Sequence, residues 1–163
     1  MKSVSDLIEK ANTLMEDNRY NEAEPLLLVA IKHNVKNPEA YYLLGEVYCK
    51  QQRFKESIDI LRHADTLLPN HPEILHLLGW ALFMSGNIVD GRSFMTITLK
   101  SNPNDIRLLC DLTVLEMQAQ DYLKAREYAR TAMNLAPNDE MVQEVNTVLD
   151  HMYQLKKSLP NKH

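Results

Sequence analysis

Three prolines, Pro69, Pro103 and Pro137, stand 34 residues apart. Asn37, His71, Asp105 and Asp139 keep the same interval. So do Leu44, Leu78 and Leu112, and so do Tyr20, Phe54, Ile88 and Tyr122. Four columns sharing one period mark a small module used over and over, and such a module buries its apolar face only by stacking on its neighbours. A repeat architecture is therefore expected, in one domain spanning 1–163. With 45% hydrophobic and 25% charged residues the composition is that of a soluble globular chain, and four glycines among abundant leucines make it helical.

The same columns place helix ends. Asn37, Asp105 and Asp139 carry side-chain oxygens that can accept from the free N–H groups of a following helix. Pro38 and Pro72 come next, at a first helical position where the missing N–H costs nothing. Polar turns separate the helices within each period: Asp17-Asn18-Arg19, Gln51-Gln52-Arg53, Ser85-Gly86-Asn87 and Gln120-Asp121. Small residues at 23, 57, 91 and 125 let the second helix of each pair come close to the first. Gly91, with the β-branched Thr96, Ile97 and Thr98, makes the second helix of the third repeat the weakest in helix propensity.

These residues resemble the tetratricopeptide repeat (TPR), whose pattern is W-x2-L-G-x2-Y…A-x3-F…P over 34 residues. Residues 38–71 match best: Tyr41, Leu44-Gly45, Tyr48, Ser57, Leu61, Ala64 and Pro69. Residues 72–105 supply Leu75, Leu78-Gly79, Leu82, Gly91, Met95, Thr98 and Pro103. Residues 106–139 and 4–37 follow more loosely, the latter without a closing proline. The resemblance implies an all-α fold, a right-handed α-solenoid of four helix pairs. A helix at about 139–157, apolar at Met141, Val142, Val145, Val148, Leu149, Met152 and Leu155, would then be the solvating cap such arrays need.

The resemblance also implies where ligands go. Positions 2, 5, 9, 12 and 13 of each repeat point into a concave wall built by the first helices. In the second repeat these are Glu39, Tyr42, Glu46, Cys49 and Lys50; in the third, Glu73, His76, Trp80, Phe83 and Met84; in the fourth, Arg107, Cys110, Val114, Met117 and Gln118. The early half is acidic and the late half apolar. The helix in Pro72–Ser85 is apolar nearly all the way round, as a helix with a core side and a binding side would be. The candidate peptide-binding residues are accordingly Tyr42, Glu46, Cys49, His76, Trp80, Phe83, Met84, Cys110, Val114 and Met117. The expected ligand is an apolar protein segment with basic residues near Glu39, Glu46 or Glu73, held by a chaperone or adaptor. The alternative is a scaffold whose groove is filled by a second copy of the chain.

Other classes have little support. A clamp for a terminal carboxylate would need Lys, Asn and Arg at Ile8, Asn12, Leu43, Glu73 and Leu77, of which only Asn12 fits. No Gly-rich phosphate loop or G-x-S-x-G is present, so no enzyme activity and no cofactor is expected. His71 and His76 are five apart, not the four of a helical zinc pair, so no metal is expected either. A net charge of −4 without a basic run argues against nucleic acid. The longest apolar run, Leu26–Ile31, is far short of the roughly 18 residues a membrane span needs. Asp6 and Glu9 fall where a signal peptide would be apolar, which makes a cytoplasmic location the expectation. Cys49 and Cys110, 61 positions apart, are read as free thiols.

Overall fold

The computed structural model describes residues 3–158. They form α1 (Val4–Glu16), α2 (Tyr20–His33), α3 (Pro38–Lys50), α4 (Phe54–Leu67), α5 (Pro72–Met84), α6 (Ile88–Ser101), α7 (Ile106–Gln118), α8 (Tyr122–Leu135) and α9 (Glu140–Ser158), with no strand among the described residues. Two compact units divide the chain, Met1–Phe94 and Met95–His163, and the division falls inside α6.

Each pair is made by the same turn. Arg19, Arg53, Asn87 and Asp121 donate their N–H to the carbonyls of Leu14, Tyr48, Leu82 and Glu116, at 2.8–2.9 Å. The residues before them, Asn18, Gln52, Gly86 and Gln120, donate to the carbonyls of Met15, Cys49, Phe83 and Met117 and have φ of 59°, 61°, 94° and 62°. This is the Schellman arrangement, in which a left-handed residue lets the chain satisfy the last carbonyls of a helix and reverse. Only Gly86 adopts that conformation without cost to a side chain. Between pairs, Asn37, Asp105 and Asp139 accept from the N–H of Ala40, Leu108 and Val142 at 3.0 Å, as their residue types predict. His71 does not cap α5, and its Nδ1 is buried without a partner.

In the Met1–Phe94 unit, Leu7, Ala11, Leu27, Leu44 and Val47 form one buried cluster, and Leu61, Leu78, Ala81 and Leu82 another. Close approach between paired helices is enforced at two glycines. A Cβ on Gly91 would stand 2.8 Å from the Gly79 carbonyl oxygen and 2.9 Å from the Phe83 nitrogen. One on Gly45 would stand 2.6 Å from the Leu61 side chain. The first and second pairs are also tied by polar contacts, with Arg53 Nη1 2.9 Å from Glu24 and Gln51 Nε2 2.9 Å from Asn21. Arg53 also covers the Tyr48 ring at 4.1 Å.

In the Met95–His163 unit, Leu109, Cys110, Ala132 and Val142 form one cluster and Met117, Tyr122, Ala125, Ala129 and Leu149 another. α9 packs on both α7 and α8. It buries only Val142 and Leu149; Met141, Val148, Met152 and Leu155 are 37–49% exposed. The expectation of a single inward apolar face on this helix is corrected: it has a second apolar stripe that faces water.

Candidate peptide-binding surface

Burial sorts the five wall positions of the repeat into two sets. Position 12 holds Met15, Cys49, Phe83 and Met117, and each sits over the small residue eight places later on the paired helix. Cys49 Sγ is 3.1 Å from Ser57 Oγ, while Ser57 Oγ donates to the Gly45 carbonyl at 2.7 Å. Phe83 Cβ lies 3.0 Å from where a Cβ of Gly91 would be. Met117 shares a cluster with Ala125, and Met15 packs against the cluster that holds Ala23. Position 5 is also largely turned in: Ile8 and Cys110 are buried, and Tyr42 and His76 are half-buried. Phe83 and Cys110 are 2% exposed and Met117 7%, so none of the three offers a face to a ligand. The expectation that their side chains are open on the wall is corrected, because they fill the space within and between helix pairs.

Positions 2 and 13 are exposed in all four repeats, and position 9 is half-buried in all four. In the Met1–Phe94 unit the accessible residues are therefore Glu39, Glu46 and Lys50 on α3 and Glu73, Trp80 and Met84 on α5, with Tyr42 and His76 set deeper. Tyr42 packs against three buried clusters at once. The Trp80 ring rests on Phe83, with centroids 5.4 Å apart and planes at 59°, while Met84 is 43% exposed. A tilted aromatic pair of this kind gives the half-buried indole a fixed apolar backing. A cleft of about 670 Å³ opens at the start of the unit, where Ser5, Ile8, Asn12 and Glu16 of α1 meet Glu39. In the Met95–His163 unit the accessible wall residues are Arg107, Val114 and Gln118.

Sequence reading missed α9 as part of this pattern. Adding 34 to Arg107, Val114 and Gln118 gives Met141, Val148 and Met152, three of its four exposed apolar residues. Extending the period by one more step would have found them.

Burial pushes the Cys49 thiol above its usual range, and Glu46 adds to this against the opposing Ser57 hydrogen bond. Burial, then Asp111 and Asp139, pushes Cys110 up to about 11. Both cysteines are free and protonated near neutral pH, which disfavours the nucleophilic thiolate. Among the described residues no group of three His, Cys, Asp or Glu could hold a metal ion, and no helix is long and apolar enough to cross a membrane.

The profile of the family described as anaphase-promoting complex, cyclosome, subunit 3 matches residues 16–96. With four helix pairs on a 34-residue period, closed by one recurring turn, the chain is a tetratricopeptide-repeat protein. It is similar in structure to the APC/C hetero-tetramer Cut9–Hcn1 (TM-score 0.84, 13% identity, 91% of this chain and 30% of that one). It is also similar to a thermophilic TPR protein of Thermus thermophilus (TM-score 0.77, 18% identity, 94% and 83%). In sequence it is 22% identical over 149 residues to the human protein O-mannosyl-transferase TMTC1, covering 87% of this chain. The chain spans 17% of the length of that relative and 15% of a second, human TMTC3. The fold class is thus an all-α solenoid of helix pairs, as the repeat implies.

Proposed function

We propose that this chain is a non-catalytic protein-interaction module that holds an apolar peptide segment carrying basic residues on its first helices. The observation that carries the reading is the sorting of the accessible positions. In the Met1–Phe94 unit four of them are carboxylates (Glu16, Glu39, Glu46 and Glu73) against one cation, Lys50, and Trp80 and Met84 are apolar. A half-exposed indole with a rigid backing is the kind of anchor that dominates binding energy at protein interfaces. A cleft edged by Glu16 and Glu39 suits a lysine or arginine on the same ligand. Tyr42 and His76 form the deeper floor, and Cys49 and Phe83 support it from behind. The fold agrees with an interaction role. The transferase named in the human relatives is theirs, and this chain matches only a small part of their length.

Trp80 is the only tryptophan, so it reports the surface directly. Titration with a model peptide of alternating leucine and lysine should move its emission to the blue and saturate. Trp80→Ala should weaken the same peptide by about 2 kcal/mol or more, measured by calorimetry. Unchanged emission, together with equal affinity for the variant, would exclude this surface.

A second reading, self-association into a scaffold, is favoured by one observation, the exposed stripe of Met141, Val148, Met152 and Leu155 on α9. Light scattering against concentration tests it. Growth in mass that Val148→Glu abolishes supports association through α9, and constant monomer mass at every concentration removes it.

A further inference from the structure

The Met95–His163 unit carries a cluster that the wall does not use. Tyr122 at the start of α8 and Tyr153 late in α9 lie with ring centroids 6.3 Å apart. Three cations sit over these two rings. Arg126 Cζ is 4.8 Å and Lys157 Nζ 4.7 Å from the centroid of Tyr153, and Lys156 Nζ is 4.6 Å from that of Tyr122. The pairing crosses between helices, since Arg126 of α8 covers the ring of α9 and Lys156 of α9 covers the ring of α8. Beside them is a cleft of about 740 Å³ lined by Tyr122, Leu123, Tyr153, Lys156 and Lys157 and edged by Asp121.

None of the three cations is paired with a carboxylate among the described residues. The nearest acidic group on the cleft, Asp121, is 3.5 Å from a different lysine, Lys124. Three like charges gathered over two rings repel one another, and the attraction of each to a ring face offsets only part of that. The rings hold the charges in place, and no carboxylate of the described residues neutralises them. Leu123, 81% exposed at the cleft, adds an apolar contact beside the charge.

We propose that this cleft is a second docking site, separate from the first-helix surface, for an acidic protein segment: a short run of Glu or Asp interrupted by an apolar side chain. The carboxylates would meet Lys156 and Lys157, and the apolar side chain would meet Leu123 and the Tyr122 ring. A concave site of this size fits a few residues of extended chain better than it fits a planar bilayer. Leu123, 81% exposed on the same cleft, favours a peptide that alternates carboxylates with an apolar side chain over a polyphosphate backbone, which has no apolar group to place there.

The full chain should be titrated into a fluorescein-labelled peptide, Glu-Glu-Leu-Glu-Glu-Leu-Glu-Glu, with anisotropy as the readout. Binding should saturate at low salt and weaken steeply toward about 0.15 M, where exposed charges are screened. The double variant Lys156→Glu with Lys157→Glu should lose about tenfold or more in affinity, and Tyr153→Leu, with every charge retained, about threefold. The charge-matched control, Lys32→Glu with Lys36→Glu in the other unit, should bind as the parent does. Absence of saturable binding overturns the proposal, as does an equal loss in the control. So does tighter binding to phosphatidylserine vesicles or to oligothymidylate than to the peptide. The helical circular dichroism of each variant establishes that a loss is not unfolding.

Discussion

At the scale of single residues the most informative one is His71. It occupies the helix-capping place that Asn37, Asp105 and Asp139 fill with oxygen acceptors, and it makes no cap; its Nδ1 is buried without a partner. His71→Asp supplies the acceptor that α5 lacks and places a negative charge at a helix N-terminus. The expected gain is about 1 kcal/mol of unfolding free energy, read from urea melts. No gain would mean that the imidazole already serves as a cap. Phe83 and Met84 make the other residue-level test, because they are adjacent and opposite in burial, at 2% and 43% exposed. Phe83→Ala should cost about 3–5 kcal/mol of stability. Met84→Glu should cost about 0.5 kcal/mol or less while weakening an apolar ligand. Similar losses in the two variants would contradict the sorting of wall positions by burial.

At the scale of elements, α5 and α6 show why a propensity argument alone misleads. Gly91 lowers the intrinsic helix stability of α6, yet the backbone of α5 leaves no room for a Cβ there. Gly91→Ala should therefore destabilise by about 1–3 kcal/mol despite the better helix former, measured by thermal or urea unfolding. Stabilisation would show that the two helices separate easily. The α3–α4 corner carries a pH dependence of known sign. The hydrogen bond and charge of Arg53 hold the Glu56 carboxyl below its ordinary range. This contribution is complete above the usual glutamate range and is lost as the pH falls through the lowered folded value. In an NMR titration Glu56 should have a midpoint below that of a free glutamate, and Arg53→Met should return it. An ordinary midpoint in the parent would mean that the ion pair does not persist in water.

Much of this was legible in the sequence because helix ends are set locally. The prolines at 38 and 72, three of the four capping residues and the polar turns all lie on the period, and the helices begin and end with them. The left-handed residues of the turns were not legible, since glutamine at 52 and 120 carries no signal for that conformation. Nor was the burial of Phe83, Cys110 and Met117. Periodicity assigns a side chain to one face of its own helix, whereas burial depends on how near the next helix comes. For Phe83 and Met117 that approach is set at Gly91 and Ala125, eight residues further along the chain, and for Cys110 by Ala132 and Val142.

At the scale of the whole molecule, the element contacts join helices that are neighbours or next neighbours in sequence. Such short-range pairing favours rapid folding and a stability that is the sum of local interfaces. It also leaves much surface per residue, and the methionines divide accordingly. Met84, Met141 and Met152 are 37–43% exposed, whereas Met95 and Met117 are at most 7% exposed. One oxygen atom added to a thioether turns an adaptable apolar side chain into a polar, chiral one. Brief exposure of the folded chain to dilute peroxide should oxidise the first three before the other two, and peptide mass mapping reads the order. Indiscriminate oxidation would mean that the helices open on the timescale of the reaction. Met141 and Met152, two of the four residues of the stripe on α9, would thus turn polar on oxidation and return on reduction of the sulfoxide, while Val148, Leu155 and the interior beneath stay apolar.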